Sequence, residues 1–277
     1  MRAILSLGCL FTTALLGCAA AAPPPPNCPS PEAAPPVAST PVTPPAATTP
    51  AAKPPAPTMT FAEAVKDAAV VVPTEVSTHL SPLIESNPRL VWKGAAPSRK
   101  LLFVTWTSWD GYDASVSKSI PLTREMWVTA APEMQDFCRG LTKAAPPAGD
   151  ALTPATVLRL EQLLGLPSAG GKDRFVEVWA DPADIFRPCP DPETTDRECG
   201  LDFPAAKRFI TVSDEHVKWF DKLKDTSYGD KGYPWTRLGY TYDWGGGEGH
   251  VGLSEYVIRG GATVEIKAVS KNGVYCR

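Results

Sequence analysis

ATVEIKAV, residues 262–269, sets Thr263, Glu265 and Lys267 against Val264, Ile266 and Ala268. Successive side chains of an extended chain point to opposite faces, so a period of two reads as a half-buried strand. Runs rich in β-branched, aromatic and leucine residues at 89–93, 100–109, 124–129, 174–180, 207–212 and 236–244 read as further strands. Helices show by their starts. Thr153-Pro154 gives an N-cap with proline at the first helical position, and Val157, Leu160 and Leu164 recur at helical spacing until Gly165 and Pro167 end the run. Ser213 caps DEHVKWFDKLK, whose acidic first turn and lysine-rich end suit the helix dipole. Residues 132–141 form a third, shorter helix. These elements follow one another without a regular βαβ rhythm, so the expected fold is α+β: one domain on a largely antiparallel sheet with about three short helices. A β-sandwich with inserted helices is the alternative.

The expected domain covers residues 59–277, which hold all eight tryptophans and all seven tyrosines. Of the charged residues only Arg2, Lys53 and Glu32 lie outside it, leaving the domain a formal net charge of −4. A mildly acidic chain without a basic run excludes nucleic acid as a partner, because phosphate binding needs clustered Lys and Arg to displace counterions. Ahead of the domain, residues 19–58 carry fifteen prolines and no aromatic residue. Such a stretch buries too little apolar surface to offset the entropy of ordering, and it reads as an extended linker with a reach on the order of 100 Å.

The first residues read as an export signal. Arg2 supplies a positive charge, and residues 3–16 are almost wholly apolar and end at Gly17-Cys18. Fourteen residues at about 1.5 Å each do not span a bilayer core of about 30 Å, so the segment is expected to be removed. Leu15-Leu16-Gly17-Cys18 resembles the lipobox of bacterial lipoproteins. The resemblance implies a signal peptide at 1–17, lipid on Cys18, membrane as a partner through that anchor, and, from Ala19 after the cysteine, delivery to the outer membrane.

Of the remaining cysteines, Cys9 leaves with the signal and Cys28 stands in the linker, so Cys138, Cys189, Cys199 and Cys276 belong to the domain. Four cysteines in an exported domain suggest two disulfides. Cys189 with Cys199 closes the short loop CPDPETTDREC and leaves Cys138 to pin Cys276. Zinc is disfavoured, since the spacing is not that of a CxxC pair and no matching second pair exists. Asp191, Glu193, Asp196 and Glu198 crowd the loop without the order of a calcium-binding hand, so a solvated acidic loop explains them.

Two stretches gather residues suited to a site. In VTWTSWDGYDASVSKS, residues 104–119, a turn at Asp110-Gly111 brings Trp109, Tyr112 and Asp113 together, an aromatic face beside carboxylates of the kind that grips a sugar; a core Trp106 and an ordinary hairpin turn are the plainer reading. In LGYTYDWGGGEGH, residues 238–250, Tyr240, Tyr242 and Trp244 alternate with Thr241 and Asp243 on one strand, and a glycine run carries Glu248 and His250. Neither GxGxxG nor GxxxxGK is present, so no phosphate cradle is expected. Ser115 and Lys118 match S-x-x-K, but Ile120-Pro121 follows at once and no S-D-N or K-T-G partner fits. His79, His216 and His250 stand in no metal-binding arrangement.

No metal or cofactor is therefore expected. The functional expectation is a noncatalytic domain binding a glycan or an envelope protein through Trp109, Asp110, Tyr112, Asp113, Tyr240, Tyr242, Asp243 and Trp244. The alternative is an envelope hydrolase in which Asp113, Asp243, Glu248 and His250 converge.

Overall fold

In chain order the elements are α1 (Phe61–Ala68), β1 (Trp92–Lys93), β2 (Lys100–Thr107), β3 (Ser119–Pro121), β4 (Met126–Ala130), α2 (Ala131–Ala144), α3 (Pro154–Leu163), β5 (Arg174–Ala180), β6 (Ile185–Phe186), α4 (Asp214–Ser227), β7 (Tyr240–Tyr242), β8 (Val251–Ile258), β9 (Thr263–Lys271) and α5 (Asn272–Tyr275). The computed structural model describes residues 59–205, 211–246 and 249–277. Cys18, Cys28, Glu248 and all but the last two residues of the strand expected at 207–212 lie outside the described residues.

The fold is α+β. Its strands form one antiparallel sheet in the order β3-β9-β5-β2-β4-β8-β6, with β1 added to β2 and β7 to β8. The sandwich alternative does not form, because these strands join one sheet. The sheet is sharply curled. β8 and β9 stand four places apart, about 19 Å in a flat sheet at 4.8 Å per strand. Yet the Arg259–Ala262 connection between them is a tight turn, in which the Ala262 N–H donates to the Arg259 carbonyl at 3.2 Å. Gly261 takes φ +87 there, where a side chain would be strained. Only curling brings the two strand ends within reach of such a turn.

The concave face encloses Leu101, Phe103, Val128, Val178, Ile258 and Ile266, all buried. The other face carries Leu102, Val104, Trp106 and Phe175 under α2, α3 and α5. β2 is thus buried on both faces, which is why KLLFVTWT reads as a nearly continuous apolar run. β9 keeps one wetter face and the alternation that marks it in the sequence.

Local chemistry sets the helix ends. Thr153 and Ser213 accept from the N–H groups of Thr156 and His216, and Thr60 with Glu63 forms a capping box on α1. Cys138 in α2 is disulfide-bonded to Cys276 and Cys189 to Cys199, with Cα separations of 5.0 and 6.5 Å. Among the described residues no helix is long and apolar enough to cross a membrane.

Candidate functional site

The aromatic residues of 238–250 are interior. β7 slips register between Tyr240 and Tyr242, so the expected single aromatic face is divided. Tyr240 packs with Leu80 and Leu238, whereas Tyr242 and Trp244 pack under α1. Each polar tip has an internal acceptor: Tyr240 donates to the Glu75 carbonyl at 2.8 Å, Tyr242 to Asp67 at 2.5 Å, and the Trp244 indole to the Leu166 carbonyl at 3.0 Å. Burying them therefore leaves no polar group unsatisfied, and they offer no exposed platform.

Asp243 is held in a bidentate pair by Arg159, at 2.8 and 2.6 Å, and also accepts from the Gly245 N–H. His250 stacks on Tyr242 and turns Nδ1 to the Asp243 backbone carbonyl at 3.1 Å, so the two side chains do not form an acid–base pair. The 109–113 cluster does assemble: Trp109, 57 % exposed, meets Tyr112 edge to face at 4.6 Å. Asp110 is exposed beside them, and Asp113 accepts from Arg174 at 2.6 Å. None of Trp109, Asp110, Asp113, Asp243 or His250 lines any of the three cavities around Trp127. Lys118 turns its ammonium to the Ala114 carbonyl. Asp196 pairs with the fully buried Arg187 inside the disulfide loop, and among the described residues no three metal-ligating side chains converge.

The better site lies on the helix-covered face of the sheet. β4 and β8 pair with Thr129 opposite Glu255 and Trp127 opposite Val257, which brings Glu255, Thr129 and Trp127 onto one face. The roof is fixed by Thr241, whose hydroxyl donates to the Leu163 carbonyl at the end of α3 and accepts from the Leu253 N–H. This close crossing needs glycine at 252, since a Cβ there would lie 2.2 Å from the Thr241 hydroxyl oxygen. Leu223 and Ser227, four residues apart and so on one side of α4, form the outer wall with the 233–235 segment.

The result is a cavity of about 390 Å³ lined mainly by aromatic and aliphatic groups, with Glu255 as its sole carboxyl among the described residues. A recess of about 200 Å³ adjoins it through the shared Trp127, Leu166, Thr241 and Glu255. On the far side of Trp127, a third space of about 570 Å³ carries Trp219, Arg124 and Arg259.

Among the described residues the Glu255 carboxyl has neither an ion-pair nor a hydrogen-bond partner. Burial alone pushes it up to about 8, so it is largely protonated at neutral pH. A neutral carboxyl in an apolar cleft both donates and accepts hydrogen bonds and holds a proton for transfer. Across the divide, His216 is kept neutral by burial, and its Nε2–H donates to the Cys189 carbonyl at 2.8 Å. Glu255 is the residue that sequence reasoning missed; its one signal is a lone charge inside the apolar run LSEYVI. Tyr242 is the predicted residue that does line the cavity. Comparison with family models, curated proteins and solved structures finds no match to this chain.

Proposed function

We propose that this is an exported bacterial lipoprotein, anchored through Cys18 at the outer membrane, whose domain binds a ligand in the cleft at Glu255. The observation that carries the binding role is an unpartnered carboxyl facing an aromatic-lined cavity, the usual build of a small-molecule site. Binding is favoured over hydrolysis because, among the described residues, the cavity lining holds one carboxyl and no histidine, whereas glycoside cleavage calls for two carboxylates across the bond. The lipobox and the proline-rich linker support the anchored placement, with glycan or another envelope component as the ligand source.

Thermal unfolding of the full chain in detergent, against peptidoglycan fragments, oligosaccharides and small organic ions, tests the binding role. A ligand at a hundred times its dissociation constant adds about 2.7 kcal/mol and raises the midpoint by roughly 5 to 10 °C. The shift should vanish in Glu255→Gln. No shift with any ligand would leave a structural role. For the anchor, Cys18→Ala should move the protein from the membrane fraction to the soluble one and abolish fatty-acid labelling.

A further inference from the structure

We propose that the Glu255 cleft takes an organic cation, an ammonium group carried on an apolar body; this rests on the reading of the cleft as the ligand site. Elsewhere in the domain Asp113, Asp196 and Asp243 each hold an arginine. Glu255, half-buried on the cleft wall, holds none, and its complement is missing from the described residues. Trp127, Tyr233 and Trp235 line the same cavity, and aromatic rings attract a cation through their quadrupole while offering little to an anion.

The remaining titratable groups that border the cleft are Lys172 in the smaller recess and Tyr233 and Tyr242 in the larger. Asp67 accepts from Tyr242, which together with burial keeps that phenol protonated throughout the ordinary pH range. Burial is what raises Glu255, and among the described residues no charged side chain pairs with it as a counter-ion. A neutral sugar fits less well, because most of its hydroxyls would lose water against Leu164, Leu166, Leu223 and Pro234, with few polar groups besides Glu255 and Ser227 to replace it.

The exchange balances. The cation enters, the Glu255 carboxyl releases its proton to solvent, and the cleft ends with a neutral carboxylate–ammonium pair. Affinity therefore rises with pH while Glu255 starts out protonated, about tenfold per unit, and levels above about 8.

Calorimetric titration of the full chain with choline and with its uncharged isostere, in which a quaternary carbon replaces the nitrogen, tests this directly. Choline should bind at least tenfold more tightly than the isostere, with release of about one proton at pH 7 read from the dependence of heat on buffer. Glu255→Gln should reduce choline to the isostere's affinity. Equal binding of the two probes, or choline affinity that does not change between about pH 6 and 8, overturns the proposal on the unaltered chain whether or not the variant folds. An oligosaccharide that binds and is lost with Trp127→Ala, while choline does not bind, would overturn the cation and keep the cleft. Binding by no probe would overturn both.

Discussion

Folding favours the uncharged form of Glu255, because unfolding returns the carboxyl to water, where it titrates near 4.5. Below that pH both states keep the proton. Between 4.5 and about 8 the unfolded chain releases a proton that the fold retains, so stability falls as pH rises, and above about 8 the loss is complete. At about 1.4 kcal/mol per unit, the whole loss amounts to a few kcal/mol. His216 acts in the opposite sense: burial lowers its pKa, so its contribution is present above the usual 6.5 and is lost as pH falls through the depressed folded value. Glu133 and Asp191 are raised by burial as well. The Glu255 effect is isolated by urea unfolding of the unaltered chain and Glu255→Gln in parallel from about pH 4 to 9. The difference should grow in favour of the variant as pH rises and stop growing near 8. Parallel curves would mean that Glu255 ionises in the fold as it does in water.

The two aromatic clusters of the sequence belong to elements of opposite character. Trp109 stands on an exposed turn, propped by Tyr112, whereas Trp244 follows β7 into the packing beneath α1. Trp109→Ala should change stability by less than about 1 kcal/mol, and Trp244→Ala should cost about 3 to 5 kcal/mol, since it opens a cavity and leaves the Leu166 carbonyl without its donor. Similar losses for both in urea unfolding would place Trp109 in the core as well. The contrast shows what sequence reading reaches. β9 is legible because its period is clean, β5 because it is a short, nearly continuous apolar run, and α3 and α4 because of their caps. β3 and β6, at three and two residues, are too short to show a period. β8 follows a glycine-rich stretch and is interrupted by Ser254 and Glu255 among apolar residues, so it reads as the continuation of a loop. α1 begins with a readable Thr60 and Glu63 box but sits against the linker, whose composition masks it. The cleft hides for a related reason: Glu255 matters because it lacks a partner, and partners are set by strands and helices far apart in the chain.

Curling the sheet leaves its open side and its helix layer to be closed by other means, and the two disulfides act on different parts of that problem. Cys138–Cys276 ties α2 to the chain end, over the stacked Phe175 and Tyr275 rings on the helix-covered face. Cys189–Cys199 closes a local loop around the buried Arg187, whose guanidinium bonds Asp196 and the Glu198 carbonyl. If cross-links act mainly by restricting the unfolded chain, their worth follows the loop they close. Their sequence separations are 138 and 10. Chain entropy then assigns about 5 kcal/mol to the first and about 3 kcal/mol to the second. Urea unfolding without reductant should show Cys138→Ala/Cys276→Ala as the weaker fold by about 2 kcal/mol. The reverse order would carry a specific physical meaning. The 189–199 loop would then be held chiefly by the native structure it completes, since its loss would free the loop from Arg187 and leave a buried cation without its carboxylate, a defect that costs about 3 to 5 kcal/mol. The two outcomes separate further in slope. A purely entropic loss makes the unfolded state more open and raises the dependence on urea, whereas a loosened native loop lowers it.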